Sequence, residues 1–164
     1  IMAITTALSN AFKLELLKGK HDLDNHEIRV ALIKENPTGT YDATTLAYSE
    51  LDTNSDHPSG TGYTATFDSI TTGARALIAS DDVGGTNTQY PKMDSTTAIL
   101  DFDDAVFTNV TVQADGCILY NKDADSAANV IAVFDFGGTV SATAGDFTIQ
   151  FPAPGASTSI LRLA

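Results

Sequence analysis

The densest pattern in this chain runs from Asn109 to Gly138. Val110, Val112, Ala114, Gly116, Ile118 and Tyr120 alternate with Thr111, Gln113 and Asp115, and a period of two marks a strand. From Cys117 the alternation gives way to apolar residues on both faces (Cys117, Ile118, Leu119), which predicts a strand covered from both sides. Val130 to Phe136 is almost wholly apolar, β-branched or aromatic. Asn121 to Asn129 between them is polar. The pattern predicts a long hairpin over about residues 110–136, with Gly137-Gly138 closing its second arm and the other elements packed around it.

A different period appears near the N-terminus. Leu8, Phe12 and Leu16 recur every four residues with Ala11 and Leu17 beside them, which predicts a helix over about residues 5–18 with one apolar face. Thr5, Thr6 or Ser9 suits its N-cap, Gly19 its C′ position, and Lys18 and Lys20 the negative end of its dipole. Strands are expected at Glu27–Ile33, Tyr63–Phe67, Thr96–Phe102, Asp146–Phe151 and Ser159–Leu163. Leu46–Leu51 reads as a short helix or strand, and Ala74–Ala79 as a strand or one helical turn. Asn36–Gly39, Asp52–Gly62, Thr139–Gly145 and Pro152–Gly155 read as turns and loops. No repeat or linker divides the chain. The expectation is a mainly β, single domain over residues 1–164: a β-sandwich or flattened barrel with one N-terminal α-helix across an open end or edge.

Charge changes the picture of partners. Nine Lys and Arg against 21 Asp and Glu give a net charge of -12. That balance disfavours nucleic acid and anionic membrane surfaces as partners. The opening segment IMAITTALSN lacks a basic leader and an apolar core, so no signal peptide is expected. No apolar stretch approaches the roughly 20 residues that cross a bilayer. Most of the basic charge lies early: Lys13, Lys18 and Lys20, with Arg29 and Lys34. Lys13 and Lys20 are expected on one side of the helix, away from Leu8, Phe12 and Leu16. Lys13, Lys18, Lys20 and Arg29 are therefore the candidate partner contacts, against the plainer reading that they only solubilise the helix and complement its dipole.

Catalytic and metal chemistry find little footing. Asp123-Ala-Asp125 opens like a calcium loop, but Ala127 offers no side-chain oxygen and no glycine follows. Asp101 and Asp103, expected on one face with Asp104 beside them, suggest a weak cation site or acid pair, but equally the polar face of an edge strand. His21, His26 and His57 are too few and too scattered for zinc. Ser59–Tyr63 matches neither a phosphate loop nor a nucleophile elbow. The single cysteine, Cys117, excludes an intrachain disulfide and reads as a small buried apolar side chain. No catalytic residue, metal or cofactor is expected. A sugar-binding module has weak support, because Trp is absent and the five tyrosines fall mostly in loops.

Several blocks, taken together, resemble a known group. They are Ser9–His21 (SNAFKLELLKGKH), Ile28–Leu32, Gly60–Thr64 (GTGYT), Asp101–Asp104, Gly116–Asn121, Val133–Gly138 and Gly145–Pro152. Their order over nearly the whole chain is similar to that of small structural proteins of tailed, often marine, bacteriophages. The segment from about Asp68 to Met93 departs from that pattern. The resemblance implies a non-enzymatic virion component, a capsid cement or decoration protein made in the host cytoplasm and placed on the capsid surface. Its partners would be the major capsid protein and copies of itself. The hairpin has more apolar strand than one thin sandwich covers, which points to burial against further copies, and a homotrimer is the expectation. The alternative is a tail- or fibre-associated adhesion module that binds a carbohydrate receptor.

Overall fold

The computed structural model describes residues 3–64, 67, 74–77 and 91–164. Its elements are β1 (Ala7–Leu8), α1 (Asn10–Leu17), β2 (Ile28–Lys34), α2 (Ser49–Asn54), β3 (Arg75–Ala76), β4 (Lys92–Asp94), β5 (Thr97–Leu100), β6 (Ala105–Asn121), β7 (Val130–Ile149) and β8 (Leu161–Leu163). They form a five-stranded sheet in the order β1-β7-β6-β2-β3 and a three-stranded sheet in the order β4-β5-β8. Among the described residues every pairing between these strands is antiparallel. The fold is mainly β, as the patterning predicts. Among the described residues the large sheet is open, since its end strands β1 and β3 do not pair, so the barrel alternative does not hold.

The β6–β7 hairpin is the spine, and it is longer than the sequence pattern indicated. β7 does not stop at Gly137-Gly138, and Thr139–Gly145 is strand rather than loop. The two glycines, at φ 76° and 152°, adopt angles that other residues rarely take. They let residues 136–139 bulge out opposite Asp115, between the pairs Ala114–Val140 and Gly116–Asp135. Pairing then resumes as far as Ala105–Ile149, which makes Asp146–Ile149 the end of β7 and not a separate strand.

The same bulge reverses the phase of β6. Val110, Val112 and Ala114 share one core with Cys117 and Leu119, whereas Ile118 and Tyr120 enter another. The single face expected for residues 110–120 is therefore split at Asp115, because an irregular register exchanges the two faces of a strand.

The two cores lie on opposite faces of the large sheet. The first joins Val30, Leu32, Cys117 and Leu119 to Phe12 of α1 and to Ile99 and Leu161 of the small sheet. The second joins Ile118, Tyr120 and Val133 to Tyr41, Tyr48 and Leu51. The middle of the hairpin is thus covered on both faces by its own chain, with Cys117, Ile118, Leu119 and Tyr120 fully buried. That covering removes the need for a second copy there.

Shorter elements also differ from their sequence patterns. α1 begins at Asn10, because Leu8 pairs with Ala132 in β1 and Ser9 turns the chain. The Ser9 N–H donates to the Ile131 carbonyl (2.9 Å) and its hydroxyl to the Thr45 carbonyl (2.8 Å), so the side chain is not a cap. Gly19, at φ 68°, does sit just past the helix end. Only part of Leu46–Leu51 is helical, and α2 starts at Ser49. Tyr63 forms an isolated bridge with Gly60 instead of opening a strand. The readings over residues 65–66, 68–73 and 78–90 lie outside the described residues.

One loop reading was too bland. Asp56 is fully buried and accepts hydrogen bonds from the Thr38 N–H (2.8 Å), the Gly39 N–H (2.7 Å) and the Tyr41 hydroxyl (2.8 Å). Lys34 Nζ lies 3.0 Å from Asp56 Oδ1. Asp56 thereby pins the Asn36–Gly39 turn over the second core.

Candidate functional site

α1 turns Phe12 inward, fully buried, and Leu16 packs partly against the same core. Its outward face consists of Lys13, Leu14, Leu17 and Lys18, neighbours at three- and four-residue steps. Leu14 is 54% exposed and Leu17 87%. Apolar residues at 12, 14, 16 and 17 spread around an eight-residue helix too widely for one packed stripe, so two leucines stay outside. Lys13 Nζ donates to Asn10 Oδ1 (3.0 Å). Among the described residues no carboxylate pairs with Lys13 or Lys18. Leu14 and Leu17 therefore form an exposed apolar patch with lysines at its edge.

The four basic residues expected to act together are split. Lys20 lies past Gly19, off the helix, and pairs with Asp125 of the hairpin loop at 3.9 Å. Arg29 is buried in β2, a strand covered on both faces. Its Nε donates to Glu27 Oε1 (2.8 Å) and its Nη1 to the Phe67 carbonyl (2.6 Å). Arg29 is therefore a structural residue and presents no charge to a partner. Leu14 and Leu17 were missed as surface residues. The signal was present in the surplus of leucines, too many for the single apolar face assigned to the helix.

The carboxylates do not converge. Asp101 is buried, where desolvation raises its pKa above the ordinary range, and it accepts the Phe102 N–H (2.9 Å). Asp103 and Asp104 are exposed, and Asp104 accepts the Phe151 N–H (2.9 Å). Asp123 accepts the Glu27 N–H (3.0 Å). No group of three or more metal-ligating side chains occurs among the described residues. Tyr41, Tyr48, Tyr63 and Tyr120 are buried in the cores, and Tyr90 lies outside the described residues.

The histidines have a structural task. The Asn121 side-chain amide donates to His21 Nδ1 (3.2 Å) and to His26 Nδ1 (3.0 Å). Its oxygen accepts the Asp123 N–H (3.0 Å), which fixes the orientation of the amide. Both rings must therefore present an unprotonated Nδ1. His21 Nε2 lies 3.5 Å from Glu15 Oε2, and Ser126 donates to Glu15 Oε1 (2.8 Å). This clasp joins α1, the following turn and the hairpin loop.

No helix among the described residues is long and apolar enough to cross a membrane. Comparison with protein families, with curated proteins and with solved structures finds no match to this chain.

Proposed function

We propose that this chain is a non-enzymatic structural protein of a tailed-phage particle, a capsid cement or decoration protein that binds the outer shell and stabilises it. The observation that carries the reading is the outward face of α1, where Leu14 and Leu17 stand exposed between Lys13 and Lys18 on a protein of net charge -12. Such a face fits an apolar surface with an acidic rim. The leucines contribute affinity, and the lysines set association rate and salt dependence. The partners are the major capsid protein and further copies of this chain.

The blocks that carry the phage resemblance add support, because they coincide with positions where the framework is least tolerant. A Cβ at Gly60 would collide with the Thr111 carbonyl, and one at Gly116 with the Phe134 carbonyl. Gly62, at φ 81°, would bring a Cβ within 2.6 Å of the Asn109 carbonyl.

The test is a quantitative gel of purified particles, combined with assembly in competition. The expected copy number is of the order of the major shell protein's. A number matching the tail components would overturn the reading in favour of an adhesion module. In competition, Lys13→Glu with Lys18→Glu is expected to incorporate less well than the parent, most at low salt, while the free protein melts unchanged.

A further inference from the structure

We propose that the outward face of α1 docks into an apolar groove on a second copy of this chain. The inference rests on the reading of that face as a contact surface and names its partner. The groove, of about 330 Å³, lies between the turn after α1 and one face of the small sheet. Leu16 and Leu23 form one wall, and Ala98, Leu100, Leu161 and Leu163 form the other. Strand register explains the second wall. Met93, Ala98 and Leu163 are cross-strand partners, so their side chains share a face, and Leu100 and Leu161 share it two residues further along. The inner row is buried. The outer row is open, with Met93 60% and Leu163 57% exposed. Asp22 and Asp24 stand exposed on the rim.

The two surfaces are complementary. The helix presents an apolar ridge with a basic frame, and the groove presents an apolar floor with an acidic rim. Leu14 and Leu17 supply side chains to fill the groove, while Lys13 and Lys18 meet Asp22 and Asp24. Self-pairing of like surfaces is disfavoured, because ridge on ridge opposes lysines and groove on groove opposes aspartates. A contact between different patches either repeats reciprocally about a twofold axis or continues head to tail into a closed ring, such as a trimer. Sedimentation mass separates these two arrangements.

Sedimentation equilibrium of the purified protein, with no shell protein present, is the experiment. The parent is expected to associate, and less so as salt rises. Leu17→Asp is expected to weaken association by about tenfold or more while leaving the monomer's melting midpoint unchanged, since Leu17 touches no core. Lys18→Glu and Asp24→Lys, both on exposed positions, should each weaken it. Mixing these two variants should restore it, because the altered ridge of one meets the altered groove of the other. A parent that stays monomeric at every concentration, a Leu17→Asp protein that associates like the parent, or a mixture without recovery would each overturn the proposal. The particle reading fails separately. A monomeric parent whose incorporation still depends on Lys13 and Lys18 leaves that reading standing, whereas a self-associating protein absent from particles sinks only the particle reading.

Discussion

At Asp56 one carboxylate organises a whole turn. Burial alone would raise its pKa, but the hydrogen bonds from Thr38, Gly39, Tyr41 and Lys34 outweigh that effect and hold it below the ordinary carboxylate value. A carboxylate with a depressed folded-state pKa contributes stability above its unfolded value of 3.8, and the contribution is lost as pH falls through the lower folded value. Asp56→Ala leaves four donors without their acceptor. It is expected to cost about 3 kcal/mol in urea denaturation, whereas Asp103→Ala on the exposed surface should cost less than about 0.5 kcal/mol. Equal midpoints for the two variants would remove Asp56 from this role. Nothing in the run Asp52–Gly62 distinguishes Asp56 from Asp52. Only the path of the chain brings residues 38–41 onto it.

Among the elements, the clasp between α1, the turn and the hairpin loop has a strength that depends on pH. His21 is buried, and burial lowers its pKa more than the nearby Glu15 raises it, with His26 lowering it further. Above its unfolded value of 6.5 the ring is neutral folded or unfolded, and the clasp is intact. As pH falls below 6.5 the unfolded chain takes up the proton first, so stability declines until the lower folded-state value is reached. The groups facing the ring are Glu15, His26 and Asn121, with Asp22 and Asp123 nearby on the turn and loop. Protonation of Nδ1 would also set two donors against each other at the Asn121 amide. The melting midpoint is expected to fall as pH drops below about 6.5, with a smaller fall in His21→Gln. Identical pH profiles for parent and variant would show that the clasp does not titrate.

For the whole molecule, the central sheet sets the limit on opening. β2 pairs with β6 from Ile28–Asn121 to Lys34–Ala114, contacts far apart in sequence and buried under two cores. Such non-local pairing closes late and opens only with the whole domain. Amides of Val30–Ile33 and Cys117–Tyr120 are expected to exchange at the global unfolding free energy, ahead in protection of β4, β8 and residues 137–144. The Cys117 thiol, fully buried and with its pKa raised by desolvation, should react with a thiol reagent only at that same global rate. Fast labelling of Cys117 beside slow exchange of its neighbours would mean the two cores open separately.

Periodicity by itself determined the strand-rich class, the hairpin of β6 and β7, the strand β2, the helix near the N-terminus and the burial of Cys117, because alternation and spacing are local properties of the chain. It also marked the basic N-terminal region. Tertiary structure alone decided the rest. Gly137-Gly138 reads as a stop until residues 140–149 find their partners on β6. The phase of residues 110–120 cannot be read through a bulge that the opposite strand creates. Arg29 looked like a free charge until β2 was covered on both faces, and Leu17 looked interior until packing turned Phe12 into the core and left Leu17 in water. In each case local pattern fixed which residues alternate, while packing fixed which side of them meets water.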